Sequence, residues 1–454
     1  MDAIARFAEH VVETRFEILP DEAVSAAETF VLDTVGVGIG GSSGPKAGEL
    51  ALLQAEPAPG SPAAHVWSHG RRVAPEAAAM CNAYQVHNSE FDCLHEEAVA
   101  HVMSAVVPVA LAEAERSGGI DGRRFIEAVV VGVDVASNLG IASASGLRFF
   151  RPATVGAFGA TAALAKLRGF DAARTVNAFS LAYGQLCGTM QAHEEGSMLL
   201  AMQMGFNARN AVIACDLAGI GVTGPQNVLE GRFGYFTLYE DGGNPKAQVE
   251  TLGQIWRVRE LAHKPFPSGR ATHGVVDGCL VLRDKHGIET DQIDGLVARV
   301  PALVNQLVGR QPRPDMDTNY ARLCARYVAA RALIHGTVGF QDFNPQAYRD
   351  AASQELAQRI AVEVSDEVNP HLLVPISVEM RLKDGSAHRV TLDEVYGAPG
   401  RPMTRESQLS KFRANAAAAA NPLPAERTDA LIGTISDLRN VEDVGRIASM
   451  LAAV

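Results

Sequence analysis

ISVEMRLKDGSAHRVTL, residues 376–392, decides how the rest of the chain is read. Ile376, Val378, Met380 and Leu382 are apolar, and Ser377, Glu379 and Arg381 between them are polar. A period of two places one set of side chains on a buried face and the other in water, which is a strand and not a helix. The arm 388–392 alternates in the same way, and Asp384-Gly385 lies between the arms. That dipeptide predicts a β-hairpin closed by a type I′ turn.

Outward from the hairpin the texture divides. Upstream, GLVARVPALV at 295–304 predicts a second strand, which Pro301 weakens or places at a sheet edge. Helical patterns at 274–285 and 320–334 lie among these strands. Before residue 262 the chain is rich in Ala, Val, Leu and Gly and predicts successive helices. Val24, Ala27, Val31 and Val35 share one helical face behind the start signal Pro20-Asp21-Glu22. The run at 154–167 is a small-residue helix in which Gly156 and Gly159 admit a close neighbour. Gly169 ends it and Asp171 caps the next helix. After 397–402 helical periodicity returns, with the alanine run 416–420 read as a helix-forming tract. The predicted fold is mainly α. A large all-helical domain (1–261, resumed at 397–454) carries a smaller inserted α/β (α+β) lid domain at 262–396. At 454 residues the chain exceeds one ordinary core, in keeping with two domains.

Composition narrows the function classes. The formal charge of −12, with no dense basic stripe, argues against a nucleic-acid partner. The long apolar stretches are interrupted by Asp134 and by Asn207, Arg209 and Asn210, so they are read as core helices, with no membrane partner. The N-terminus lacks a basic segment followed by an apolar one, so no secretion signal is read. Cysteines at 81, 93, 187, 215, 279 and 324 show no C-x-x-C spacing and suit a reducing, cytoplasmic compartment. No P-loop, placed G-x-G-x-x-G or metal spacing occurs, so no metal and no cofactor are expected.

Four polar clusters stand out. Residues 87–101 (HNSEFDCLHEEAVAH) mix imidazoles and carboxylates, the groups of general acid–base chemistry or of a metal site. They equally suit a polar loop between helices. A metal hydrolase built on His87, His95 and His101 is the least favoured use of them. Arg151, just ahead of the small-residue helix, suits a carboxylate at a helix start. Residues 264–273 (KPFPSGRATH) combine Lys264, Arg270, Thr272 as an N-cap, and His273. The segment 193–197 opens an apolar helix ending near Ala218, and reads best as a solvated helix start.

Taken in order, these segments resemble the MmgE/PrpD family over essentially the whole chain. The resemblance is carried by FVLDTVG at 30–36, by 87–92 followed by His101 and VVP at 106–108, and by GAFG at 156–159. It continues through GSM at 196–198, TGP at 223–225 and LEGRFG at 229–234, then KPFP at 264–267 with Thr272-His273, and KFR at 411–413. That family takes in 2-methylcitrate dehydratase, cis-aconitate decarboxylase and iminodisuccinate epimerase, and the resemblance implies a homodimer. It also implies Glu90, Asp92, His101 and His273 as catalytic groups, and Lys264, Arg270 and Thr272 with Arg151 as substrate contacts. Arg151 stands where the family has histidine before proline. Ala271, Leu200, Gln203 and Leu307 replace a histidine, a lysine, a second histidine and a tyrosine of its pattern.

The expected activity is therefore a cofactor-independent lyase of dehydratase or decarboxylase type. It would remove a proton alpha to a carboxylate of a small di- or tricarboxylate. A weakly acidic proton needs both a base and stabilised negative charge. His101 is the first choice of base and His273 the second, with Asp92 or Glu90 orienting a ring. The alternatives are an epimerase or isomerase of a dicarboxylate, and a silent carboxylate-binding member of the fold.

Overall fold

The computed structural model describes residues 2–367, 369 and 372–452. The chain forms two compact units. The first holds residues 1–190, 199–262 and 404–454, and the second 191–198 and 263–403.

The first unit is built on long helices whose every face is covered. Asp21–Gly41 starts behind Pro20 with Asp21 and Glu22 in its first turn, where the helix dipole favours acids. It and Gly122–Ala142 are apolar and long enough to cross a membrane by composition alone. Both are buried along most of their length among other helices, which is why no polar face is needed. Arg151–Leu167 lies against Gly122–Ala142, and Leu199–Gly219 lies against Arg151–Leu167 and Pro75–His87.

Gly122–Ala142 and Arg151–Leu167 meet glycine on glycine. A Cβ on Gly159 would stand 2.6 Å from the Gly132 carbonyl, and one on Gly132 2.8 Å from the Gly159 carbonyl. Backbone cannot yield without separating the helices. Gly156 meets only Ala105 and Met204 side-chain carbons at 3.5 Å, an ordinary contact, so the helix pair depends on Gly159 alone of those two. Gly159→Ala is expected to cost about 1–3 kcal/mol, the usual range for overpacking. Urea denaturation followed by circular dichroism checks it, and an unshifted midpoint would show that the helices separate freely. The helix ends as its sequence predicts, with Gly169 at φ +63° and the Asp171 side chain accepting from the Arg174 N–H.

The chain's final segment returns to this unit. Arg405–Ala417 packs on Asp21–Gly41, where Phe412 and Asn415 fill the space left by Gly36 and Gly40. The helix takes only the first two residues of the alanine run. Pro422, which cannot continue a helix, follows closely, and 418–421 turn away instead.

The second unit contains a four-stranded sheet in the order Ile360–Val364, Ile293–Val300, Ile376–Leu382, Ala387–Leu392. The first pair is parallel and the other two are antiparallel. Arg270–His286 covers Ile376–Leu382, with Gly274 and Gly278 one turn apart against Ile376 and Val378. Three expectations change here. Ile293–Val300 is an interior strand and stops before Pro301, which begins the next helix in place of marking an edge. The hairpin turn has positive φ only at Gly385 (+88°), whereas type I′ needs it at two central residues. Asp384 instead accepts from the Ser386 N–H and hydroxyl, which fixes a longer turn. The helix expected from Gly274 begins a turn earlier at Arg270, so Gly269, not Thr272, is its N-cap.

Candidate active site

In the first unit, Pro75–His87 and Met103–Ser117 are joined by a loop at 88–102 that carries the acidic cluster. The loop is tied at several points. Leu94 and His95 pair antiparallel with Leu261 and Ala262, and His95 exchanges backbone hydrogen bonds with Ala100. The Asn88 amide donates to the Gly41 carbonyl. Lys411 Nζ donates to the Phe91 carbonyl (2.8 Å) and meets Asp33 at 2.7 Å. These anchors hold two residues in left-handed backbone, Glu90 at φ +52° and Val99 at φ +49°. A β-branched residue pays for that conformation, and such strain persists only where the surroundings over-determine it.

This loop gathers two imidazoles and a hydroxyl around one carboxylate oxygen, with hydrogen bonds from His87 and Ser104 and an ion-pair contact from His101. Asp92 Oδ2 lies 2.8 Å from His87 Nδ1 and 3.1 Å from His101 Nδ1, and the Ser104 hydroxyl donates to it. The two imidazoles meet edge to face at 4.7 Å, and His87 Nε2 lies 3.6 Å from Glu90 Oε1. Asp92 is 1% exposed at its side chain and His101 12%, so the reachable member is the histidine. A carboxylate facing Nδ1 favours the proton there and makes Nε2 the basic nitrogen. The adjacent Cys93 takes no part as a nucleophile. Burial, then the charges of Asp33 and Asp92, push its thiol well up, and a protonated thiol is inert.

His87, Asp92 and His101 offer ligand atoms within 4.8 Å of one another and are the group among the described residues that could hold a metal. His95, the third member of the sequence-based metal set, is engaged elsewhere. Its Nε2 lies 2.9 Å from Glu260. Burial raises the Glu260 carboxyl, but hydrogen bonds from His95 and Arg257 outweigh it and leave it below the usual range.

Arg151, expected from the sequence as a substrate contact, is buried and ion-paired. Its guanidinium forks onto Glu240 (Nε–Oε1 3.0 Å, Nη2–Oε2 2.8 Å) and donates to the Ser145 carbonyl. The Tyr235 hydroxyl, kept protonated by burial and by the Glu240 charge, donates to the same carboxylate. A cation matched so closely by a buried carboxylate has little charge left for a ligand. Leu200 is buried beside Gln203, whose side chain accepts from the Thr189 N–H and so secures the chain before Gln191–Glu195.

In the second unit, Lys264 is fully buried. Arg270 donates from Nη1 to the Tyr396 carbonyl (2.7 Å) and from Nη2 to that of Val395 (3.2 Å), so it braces the segment after the hairpin. Thr272 is turned back to the Gly269 carbonyl (2.9 Å) and to the Ser268 hydroxyl. His273 Nε2 lies 3.1 Å from the Ser268 carbonyl and must donate to it, which leaves Nδ1 facing Arg270 at 3.5 Å. Leu307 is partly buried against this unit's core.

Sequence reasoning missed Ser104, Glu240 and the role of Lys411. Ser104 lies three residues beyond His101, on the first turn of the next helix, and that spacing was the available signal. Glu240 carried none.

Comparison with known proteins places both halves of the chain in one family. Residues 5–248 match the MmgE/PrpD N-terminal domain and residues 266–436 the MmgE/PrpD C-terminal domain. The cis-aconitate decarboxylase of Homo sapiens is 27% identical over 449 residues, covering 95% of this chain and 91% of that protein. The cis-aconitate decarboxylase-like protein oryM of Aspergillus oryzae is 25% identical over 483 residues, covering 99% and 97%. A cis-aconitate decarboxylase of Aspergillus terreus is 25% identical over 451 residues, covering 93% and 91%.

Proposed function

The chain belongs to the MmgE/PrpD family, and on that premise we propose that it is a cofactor-independent lyase of a small di- or tricarboxylate, with His101 as its proton-moving group. The observation that carries the reading is the Asp92–His101 contact at 3.1 Å, held in a strained, multiply anchored loop. In a dehydration, His101 Nε2 takes the proton alpha to a carboxylate as the hydroxyl leaves. In a decarboxylation, the same group returns a proton to the carbanion left by loss of CO2. The similarity to proteins named cis-aconitate decarboxylase supports a lyase on a tricarboxylate. Leu200 and Leu307, apolar where the family pattern has a lysine and a tyrosine, favour a different substrate or a different fate for the carbanion. Reprotonation on the opposite face, an epimerisation, is the second reading. Lys264 is proposed to bind a carboxylate. Arg270, braced on the His263, Val395 and Tyr396 carbonyls, is proposed to shape that segment. The protein is further proposed to be a cytoplasmic homodimer.

The test is a panel of cis-aconitate, citrate, 2-methylcitrate and iminodisuccinate. A true ligand at 100 times its Kd should stabilise the fold by about 2.7 kcal/mol, visible as a shift in Tm. Hits are then incubated in heavy water. Deuterium at the carbon alpha to a carboxylate, or an unsaturated product absorbing in the ultraviolet, supports the lyase or epimerase reading. A hit that binds with neither result leaves the silent carboxylate-binding reading in its place.

A further inference from the structure

We infer that the His87–Asp92–His101 cluster binds a divalent cation of the zinc class, and that the bound cation silences the base. The silencing rests on the reading of His101 given above, whereas the binding does not.

The donor set is the first argument. Two imidazoles and a carboxylate suit Zn²⁺, Co²⁺ and Ni²⁺ and suit Ca²⁺ or Mg²⁺ poorly, since those take oxygen ligands. Geometry is the second. Ligand atoms at zinc distance on a tetrahedral ion are roughly 3.3 Å apart. The His87 and His101 nitrogens stand 2.8 and 3.1 Å from Asp92 Oδ2, and all three ligand atoms fit within 4.8 Å. Opening these contacts by a few tenths of an ångström admits the ion, which displaces the proton between His87 and Asp92 to solvent.

The outer shell is the third. A zinc-bound imidazole commonly turns its other nitrogen to a carboxylate, and ligating carboxylates are themselves hydrogen-bonded. Here His87 Nε2 faces Glu90 at 3.6 Å, and Ser104 donates to Asp92. The framework is also rigid. His87 is the last residue of one helix, His101 lies two residues before the start of another, and Lys411 pins the Phe91 carbonyl between them. Two other buried histidines each meet one acid, His10 with Asp134 and His95 with Glu260. With the Nδ1 lone pair committed to the ion, the neutral ring of His101 carries its one proton on Nε2, which then has no lone pair with which to act as a base.

The test uses the full chain after chelator treatment. The exposed His286–His388 pair, stacked at 3.8 Å, is removed as a background site by His388→Ala. Zn²⁺ is titrated by calorimetry and Co²⁺ by its visible d–d bands. One equivalent is expected, with bands of the intensity of a four- or five-coordinate site. His87→Ala and Asp92→Asn are each expected to weaken binding by more than ~10²-fold, and Glu90→Gln by roughly 10-fold, the lower end for an outer-shell carboxylate. Circular dichroism confirms that each variant is folded; if His87→Ala is not, Asp92→Asn carries the comparison. No saturable heat and no d–d bands, or variants that bind as the parent does, overturn the site. Deuterium exchange into a panel hit is then followed with and without one equivalent of Zn²⁺. Exchange that zinc suppresses supports both parts. Exchange that persists with zinc bound overturns the silencing. Zinc binding with neither exchange nor an unsaturated product in either state removes the proposed function and leaves the site standing.

Discussion

His101→Gln is expected to lower turnover of the true substrate by at least ~10²-fold, the usual lower bound for losing a general base. Glutamine fills similar space and still hydrogen-bonds, but it has no titratable nitrogen. Its amide can face Asp92 and the Ser104 hydroxyl, so the loop retains its anchors at Lys411, His95 and Asn88. Binding in a thermal-shift assay should therefore survive while deuterium incorporation disappears. That split between binding and chemistry separates a lost base from a damaged fold. Parental turnover by the variant would transfer the role to His273. That ring is the weaker candidate, because one nitrogen donates to the Ser268 carbonyl and the other faces Arg270 at 3.5 Å.

The second large effect concerns stability. Arg151→Ala is expected to destabilise the first unit by about 3–5 kcal/mol, the cost of leaving one partner of a buried ion pair uncompensated. Glu240 is 1% exposed, and Tyr235 alone would remain to donate to it beside the Ser145 hydroxyl. The paired change Arg151→Met with Glu240→Leu removes both charges and should recover much of the loss, since an apolar pair avoids desolvation. Urea midpoints of the two variants check this. If Arg151→Ala keeps the parental midpoint but no longer binds a carboxylate, the sequence-based role of Arg151 as a substrate contact is reinstated.

Much of the fold was legible because its signals are local. Alternation in 376–392, the caps at Gly169 and Asp171, and the acidic loop between two helices are each written within about one turn or one strand. Turn type at Asp384-Gly385 was misread because two turns share that dipeptide, and the choice between them depends on how the strands are offset. The helix start at Arg270 was set a turn late because Thr272 is a good cap residue, although its hydroxyl is taken by the Gly269 carbonyl.

By itself, the sequence determined that a mainly helical chain carries a hairpin-containing segment, and that His87, Glu90, Asp92 and His101 fall in one short segment, 87–101. Nearness in the chain makes such a cluster reachable without distant contacts, but it does not choose the members. Only the tertiary structure decided which oxygen the two histidines share, that His95 leaves them for Glu260, and that Arg151 belongs to Glu240. Lys411 is brought to the Phe91 carbonyl across 320 residues, and Arg151 to Glu240 across 89. Such pairings are set by how helices pack, and a charged side chain carries no local mark of the distant partner that will neutralise it.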